Sequence, residues 1–301
     1  MAIDVRPETP AVRTARGRRP GAPAPKRKRS FIAVSRPWLL LAPALVVLAG
    51  LLLWPLIRVV IISLQDYGLR EIVSGKTNFI GFDNYAEIFG NSTLWTVALP
   101  NTVIFAILSV AGTVALGTLV ALLMASLGPT WRTIVGSAIM IAWAMPAVTG
   151  TYVWVWIFDA DNGIVNQVLK NLGLMHESFN WFTNPFTFYG IVLLNIIHHG
   201  FPFVAITVLA GLLGVSKEML EAAAMDGAGA VRRFFSIIVP SLKQVFAVVI
   251  ILSTIWDFKV FAQVYLMPGG SGSNRQVLNL GVWSYVESYD HTPRLSTWRL
   301  D

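Results

Sequence analysis

The chain has 301 residues, of which 55% are hydrophobic and only 13% carry a charge. A soluble globular domain has roughly 25% charged residues, and so few charges cannot cover the surface of a soluble protein of this length. The composition therefore excludes an ordinary soluble domain and predicts a membrane protein. The sequence contains no cysteine, which excludes disulfides, thiolate metal sites and cysteine nucleophiles.

The N-terminal segment 1–36 is strongly basic, with ten lysine and arginine residues against Asp4 and Glu8. It is also rich in proline, alanine and threonine, a composition that favours a disordered tail. The sequence KRKR within it is compatible with a nuclear or nucleic-acid-binding arm. In front of an apolar segment, however, it favours a positive-inside topology signal, so we expect a cytoplasmic tail.

Five segments are long and apolar enough to cross a bilayer as helices, which takes about 20 residues each. The predicted spans are 38–63, 94–127, 134–158, 186–214 and 244–267. The first span lacks a small-residue cleavage site at its end, so we interpret it as a retained anchor and not as a signal peptide. The sequence thus predicts an all-α polytopic membrane protein with five transmembrane helices.

The loops between these spans differ in charge. If the tail is inside, loops 128–133 and 217–243 are also inside, and together these three segments hold fifteen Lys and Arg residues. The two loops then predicted outside, 64–93 and 159–184, hold three. Because cytoplasmic segments carry an excess of Lys and Arg, this bias predicts a cytoplasmic N-terminus.

The inner loop after the fourth span has the pattern of a helix, a turn and a second helix. Ser216 is suited to cap a helix that starts at Lys217, and Asp226-Gly227 is suited to end it, because glycine accepts the left-handed conformation. Pro240 marks the return to the membrane. Such an element suits docking into the groove of a partner protein; the alternative is an interfacial loop that lies on the lipid headgroups.

A spaced motif runs through this loop: Glu-Ala-Ala, three residues, Gly, nine residues, Ile, one residue, an aliphatic residue and Pro. Its members are Glu221, Ala222, Ala223, Gly227, Ile237, Val239 and Pro240. The motif resembles the signature of permease subunits in binding-protein-dependent ABC importers, with Val239 in place of the usual leucine. Asp226-Gly227-Ala228 and three flanking segments resemble the carbohydrate-uptake (maltose-type) class: FIGFDNYAEIF (79–89), NGIVNQVLKNLGL (162–174) and LMPGGSGSNRQVLNLGVWSY (266–285). The resemblance covers about residues 36–287.

This resemblance implies a permease in the bacterial cytoplasmic (inner) membrane that performs no chemistry and holds no cofactor itself. The implied partners are a second, distinct permease subunit, two cytoplasmic ATPase subunits that bind ATP and Mg, and an extracytoplasmic sugar-binding protein or lipoprotein; nucleic acid is not among them. No GxxxxGK[ST] phosphate-binding loop occurs in the sequence, so ATP is expected to bind to the partners. The residues expected to couple to the ATPase are Glu221, Ala222, Ala223, Asp226, Gly227, Ile237 and Pro240.

Polar and aromatic side chains at membrane depth are the candidates for the sugar pathway, because exposing them to lipid is costly. They are Asn101, Asn195, His198, Trp256, Asp257, Lys259, Gln263 and Tyr265. Trp256 beside Asp257 is chemically suited to stack on a sugar and to hydrogen-bond it, and the charges of Asp257 and Lys259 need compensation. The competing interpretation is hydrogen bonding between helices. The adjacent His198 and His199 point about 100° apart on a helix, which does not suit a shared metal ion.

The C-terminal segment departs from the resemblance, because permeases of this class normally have a sixth span and no apolar run follows Trp283. The predicted organisation is a tail (1–36), a transmembrane domain (37–287) with a coupling loop (217–240), and an atypical tail (288–301). Two alternatives stay open: a truncated, non-transporting permease remnant, and an intramembrane glycosyltransferase-like enzyme. The enzyme would need paired carboxylates or a metal-ligand set at the membrane face.

Overall fold

A computed structural model describes residues 31–290 of the chain. The regular structure of this part is helical apart from one two-stranded sheet, which confirms the all-α class. The predicted tails 1–36 and 288–301 lie outside the described residues except at 31–36 and 288–290. The described residues divide into two compact units, with the boundary between Ser63 and Leu64.

The first unit contains helices α1 (Phe31–Leu48) and α2 (Trp54–Ser63), joined by a π-helical turn at Ala49–Leu53. The helix starts at Phe31, before the predicted start of the span at 38, because hydropathy marks only the part of a helix that matches the hydrocarbon layer. From Leu40 to Ser63 none of the described side chains is buried. The described side chains of this span therefore belong to no buried core.

The second unit opens with short elements: β1 (Gln65–Asp66), α3 (Leu69–Ser74), β2 (Asn78–Phe79) and α4 (Asp83–Gly90). The two strands pair antiparallel, with Gln65 opposite Phe79. The side chain of Asn84 donates a hydrogen bond of 2.9 Å to the carbonyl of Gln65, which ties α4 to the strands.

The remaining helices of the second unit are α5 (Leu99–Ser126), α6 (Pro129–Trp143), α7 (Ala147–Ile157), α8 (Ile164–Asn171), α9 (Pro185–Leu212), α10 (Lys217–Met225), α11 (Ala230–Arg233), α12 (Val239–Ser241), α13 (Lys243–Phe258), α14 (Ala262–Leu266) and α15 (Leu280–Asp290). By length and composition, three helical stretches of the described chain can each cross a membrane: Leu40–Ser63, Leu94–Ser126 and Pro185–Leu212. Two bent pairs, Pro129–Trp143 with Ala147–Ile157 and Ala230–Ser241 with Lys243–Phe258, raise the number to five if each pair forms one span. Five is the number that the sequence predicts.

The third predicted span, 134–158, is a bent pair and not one straight helix. The axes of α6 and α7 differ by 91°, and the break ends at Pro146, which has φ −58° and ψ 135°. A proline has no N–H to donate and disfavours the helical conformation of the residue before it. The fifth predicted span, 244–267, is also interrupted, because α13 ends at Phe258. After it, the N–H groups of Lys259 and Val260 donate to carbonyls only three residues back, those of Trp256 and Asp257.

Three prolines follow π-helical turns at the same spacing. Pro55, Pro100 and Pro240 each lie two residues after such a turn; the turns are Ala49–Leu53, Leu94–Ala98 and Phe234–Ile238. In each case the residue before the proline donates its N–H to the carbonyl five residues back, as Leu99 does to Leu94. Widening the helix in this way relieves the clash between a proline ring and the carbonyl four residues earlier.

Helices α5 and α9 form the most extensive helix pair of the second unit. They run in the same direction, because the ring of Phe105 lies 5.8 Å from that of Tyr189 near their starts and Gly117 lies against Val204 further along. A Cβ atom on Gly117 would lie 2.5 Å from Cβ of Val204 and 2.9 Å from the carbonyl oxygen of Phe201. Glycine is therefore required at this crossing, as in small-residue contacts between membrane helices.

Candidate coupling loop and translocation pathway

The coupling loop (217–240) begins with a capped helix. The Ser216 side chain accepts a hydrogen bond of 3.3 Å from the backbone N–H of Met219 and donates one of 2.7 Å to Oε2 of Glu218. These contacts satisfy a free donor of the first turn of α10 and place a carboxylate near its positive end. The predicted cap and helix start are both confirmed.

The same helix ends in a Schellman turn around Gly227. The N–H of Ala228 bonds to the carbonyl of Ala223 at 2.9 Å, and the N–H of Gly227 bonds to the carbonyl of Ala224 at 3.0 Å. Gly227 has φ +78°, in the left-handed region where a side chain is disfavoured. The helix–turn–helix predicted for this loop is thus confirmed, with α11 as the second helix.

α10 presents its surface outward, and none of its residues is buried. Within the motif, Glu221, Ala222 and Asp226 are exposed, and Ala223 is half-buried. Met225, at the end of the helix, is 89% exposed. A nine-residue helix is too short to be stable in isolation, so an exposed helix of this kind is suited to packing against a partner.

The end of the loop connects α10 to the membrane helices. Ile237 is half-buried in the π-helical turn, and the exposed Pro240 follows it in α12. The axis then turns by 80° into α13 at the buried Leu242, which packs against Gly211 near the end of α9. A displacement of α10 can therefore be transmitted through a short, packed connection to both α9 and α13.

Buried polar side chains lie at mid-depth in the helix bundle. In α5 they are Ser109, Thr113 and Thr118, between the buried apolar residues Phe105 and Ala121; in α13 they are Ser253 and Asp257, between Val249 and Val260. The apolar residues on the two sides belong to two separate core clusters. We call these five side chains, Ser109, Thr113, Thr118, Ser253 and Asp257, the polar layer.

Two of the predicted pathway residues, Asp257 and Trp256, are adjacent near the end of α13. Asp257 is 7% exposed, and its Oδ2 has no hydrogen-bond partner among residues 31–290. The Trp256 ring contacts Phe203 of α9 edge-on, with 5.0 Å between ring centroids. Lys259, in contrast, is exposed, so the two predicted charges do not share one environment.

Asn101, Gln263 and Tyr265 lie nearer the loop after α14. The side chain of Asn101 donates hydrogen bonds of 2.9 and 3.0 Å to the carbonyls of Gln276 and Leu278, so it braces that loop. Tyr265 stacks on Phe261 with centroids 5.0 Å apart, and Gln263 is half-buried beside it. For Asn101 these contacts match the competing interpretation of hydrogen bonding between elements.

The remaining two pathway candidates are on α9. Asn195 is 4% exposed, and its Nδ2 has no hydrogen-bond partner within the described part of the chain. The exposed His198 has its ring 5.9 Å from that of Trp154 on α7. Asn195 and His198 are three residues apart, so the buried amide and the imidazole beside Trp154 lie on neighbouring positions of α9. The sequence NIIHH indicates this spacing.

The sequence interpretation missed the α5 members of the polar layer. Ser109, Thr113 and Thr118 are each at most 6% exposed, and their hydroxyl oxygens have no hydrogen-bond partner among the described residues. Hydroxyl residues in an apolar run are common and neutral in hydropathy, so they gave no signal alone. The spacing of four residues puts Ser109 and Thr113 on one face of a helix, and this was the available clue. Thr118 lies about 140° further round the helix and shared no face with them.

A family model described as "binding-protein-dependent transport system inner membrane component" matches residues 117–290. The chain belongs to this family. It is therefore a membrane-spanning permease subunit of a binding-protein-dependent ABC importer, and the match includes the whole coupling loop and the polar residues of α9 and α13.

Named relatives agree with this assignment. The permease is 36% identical over 262 residues to the diacetylchitobiose uptake system permease protein DasB of Streptomyces coelicolor, covering 87% of this chain and 79% of that protein. It is 35% identical over 232 residues to the sulfoquinovosyl glycerol transport system permease protein SmoG of Agrobacterium fabrum, covering 77% and 73%. It is 28% identical over 256 residues to the trehalose/maltose transport system permease protein MalF of Thermococcus litoralis, covering 84% of each.

A solved structure shares the fold of this permease. It is that of a bacterial ABC transporter involved in the import of the acidic polysaccharide alginate; the TM-score is 0.69 at 21% identity, with 86% of each chain covered. The family and relatives favour a permease over the truncated remnant and the glycosyltransferase-like enzyme. No group of three or more His, Asp or Glu side chains that could hold a metal ion occurs among the described residues.

Proposed function

We propose that this permease forms part of the pathway of an ATP-driven importer for a small saccharide. The names of three relatives support the substrate class, since diacetylchitobiose, trehalose with maltose, and sulfoquinovosyl glycerol are all sugars or glycosides. The observation that carries the proposal is the exposed, capped α10 with its Glu-Ala-Ala…Gly motif, which is joined through α11 and α12 to α13, the helix that holds Ser253 and Asp257 of the polar layer. An outward-projecting helix connected to the pathway helices is the arrangement that a partner needs to drive them.

In this proposal, the permease pairs with a second, distinct permease and docks onto two ATPase subunits, which bind ATP and Mg. The N-terminus and α10 face the cytoplasm, and the loops before α5 and between α7 and α9 face the outside. Glu221 offers a charge to the ATPase, Gly227 fixes the turn, and Ile237 with Pro240 carries the motion into the membrane. Asp257, Trp256 and Asn195 are the side chains that we assign to contact with the saccharide.

Uptake by the reconstituted importer tests this function. Proteoliposomes with the complete complex and its binding protein are supplied with radiolabelled diacetylchitobiose, maltose or trehalose, with ATP inside or outside. We expect at least one of these sugars to accumulate, and only when ATP is on the same side of the membrane as α10. No accumulation of any sugar, together with uptake of a substrate of another class, would contradict the saccharide proposal.

A charge reversal on α10 tests the coupling. Glu221→Lys should lower ATP-dependent uptake while leaving the amount of permease in the membrane unchanged, because only the exposed surface of α10 is altered. Glu177→Lys is the matched control, since Glu177 is also exposed but lies in the loop before α9. Equal uptake by both variants would remove Glu221 from the coupling surface.

A further inference from the structure

A small cavity lies apart from the polar layer, between the end of α4, the loop after α14, and α15. Its volume is about 310 Å³, at the lower end of the range of about 300 to 1,000 Å³ for ligand pockets. It is lined by Asn91, Thr93, Ser271, Gly272, Arg275, Leu278, Trp283, Val286 and Glu287. We call it the loop pocket. Its size suits one sugar ring, and its polar lining does not suit a lipid chain.

The loop that forms one wall is fixed to the membrane helices. Besides the two hydrogen bonds from Asn101, the hydroxyl of Tyr189 on α9 donates a bond of 2.9 Å to the carbonyl of Val277. Gly272 has φ +95°, and a Cβ there would lie 2.8 Å from Cγ2 of Val286 on α15. The wall is therefore held in place before any ligand arrives, which reduces the entropic cost of binding.

The opposite wall carries a buried indole. α15 is capped by Asn279, whose Oδ1 accepts a hydrogen bond of 2.9 Å from the N–H of Val282 and whose Nδ2 donates one of 2.6 Å to the carbonyl of Val260. This fixes Trp283, which is 7% exposed. Its Nε1–H has no acceptor in the described part of the chain, although a buried tryptophan N–H usually has one. The nitrogen has less than 1 Å² of accessible surface, so the indole shapes this wall and does not offer the pocket a donor.

The charges that line the pocket balance. Arg275 contributes a guanidinium and Glu287 a carboxylate, which accepts a hydrogen bond of 3.1 Å from Nδ2 of Asn91. A donor fork, a carboxylate, an amide and the hydroxyls of Thr93 and Ser271 match the alternating donors and acceptors of sugar hydroxyls. Because the described lining pairs one positive with one negative group, it favours a neutral ligand over an anion.

We propose that the loop pocket binds one ring of a neutral saccharide on its way from the binding protein to the polar layer. Arg275 donates hydrogen bonds to its hydroxyl oxygens, Glu287 accepts from a hydroxyl, and Trp283 forms the wall against which the ring lies. This proposal rests on the proposed saccharide-import function. It adds a binding site in the loop after α14 that is separate from Asp257 and Trp256.

The test uses the complete complex with its binding protein in proteoliposomes and labelled diacetylchitobiose, maltose and trehalose as probes. The variants are Arg275→Gln and Trp283→Phe, and Lys170→Gln is the control for loss of a cation in a loop on the same predicted side. Two rates are measured: sugar uptake, and stimulation of ATP hydrolysis by the sugar-loaded binding protein. Removing the charged hydrogen bond of Arg275 should lower uptake about tenfold, and Trp283→Phe should lower uptake by reshaping the wall of the pocket.

The expected result is lower uptake in both pocket variants, with stimulation of ATP hydrolysis and the Lys170→Gln control within about twofold of the unaltered complex. A parallel loss of uptake and stimulation would show that the pocket holds a side chain of the binding protein, and would overturn the proposal. Unchanged uptake in Arg275→Gln would also overturn it, and this variant covers the case in which Trp283→Phe fails to fold. If the unaltered complex imports none of the three sugars and takes up a substrate of another class, the saccharide function itself is wrong.

Discussion

Replacing Gly227 with alanine should weaken the docking of the ATPase without affecting membrane insertion. Gly227 has φ +78°, and nothing lies within 4 Å of the position that a Cβ would occupy, so the cost is backbone strain alone. That conformation costs an L-residue roughly 1–2 kcal/mol, equivalent to about a 5- to 30-fold change in an equilibrium constant. Because α10 is presented correctly only when its Schellman turn is formed, we expect the affinity for the ATPase to fall by this factor.

The chain offers a matched control two positions along. Gly229 has φ −64°, and its Cβ position is equally open, so Gly229→Ala makes the same chemical change without strain. Gly227→Asn should fall between the two, since asparagine tolerates the left-handed region better than alanine. Titration of purified ATPase subunits onto the permease in nanodiscs measures the affinities. Equal affinities for Gly227→Ala and Gly229→Ala would refute the role of the turn.

Three further changes have expected outcomes. Gly117→Ala should lower the thermal unfolding temperature of the purified permease, because the added methyl group overpacks α5 against α9 at a cost of roughly 1–3 kcal/mol. Gly190→Ala should leave it unchanged, since no atom lies within 4 Å of the position of the new Cβ. Equal unfolding temperatures of the two variants would contradict the close crossing. Asp257→Leu should raise that temperature, because a buried charge costs about 2.5–3.5 kcal/mol, and should abolish uptake. Retained uptake would contradict a pathway role, and a lower temperature would contradict the cost of the buried charge. Ser216→Ala should speed hydrogen exchange in the first turn of α10 through loss of about 1 kcal/mol, and unchanged exchange would show that the cap does not hold this helix.

Local features of the coupling loop could be predicted because they depend on neighbouring residues. A serine before a helix and a glycine after it act within one turn, so Ser216 and Gly227 are confirmed as the ends of α10. The 91° bend had a visible signal in Pro146, but hydropathy counts proline as compatible with an apolar run and therefore predicted one span. Helix ends such as Phe31 extend beyond what hydropathy marks.

The arrangement of the polar residues could not be predicted, since it depends on which faces of distant helices meet. Asn101, a predicted pathway residue, donates hydrogen bonds to the carbonyls of Gln276 and Leu278, far along the chain. Thr113 was not predicted as a buried polar residue, although the packing of α5 against Gly200 of α9 buries it. The environment of each polar side chain depends on contacts between distant helices, and a single sequence does not show which helices are in contact.

The docking of α10 onto an ATPase is the central claim, and site-specific photo-crosslinking tests it most directly. A photoreactive amino acid at Met225, which is 89% exposed at the end of α10, is irradiated in native membranes and its adduct is identified by mass spectrometry. The same probe at Phe186, also 89% exposed but at the start of α9, serves as the control on the opposite side. The account predicts an ATP-binding subunit attached at Met225 and none at Phe186; capture of an extracytoplasmic protein at Met225, or of the ATPase at Phe186, would contradict it.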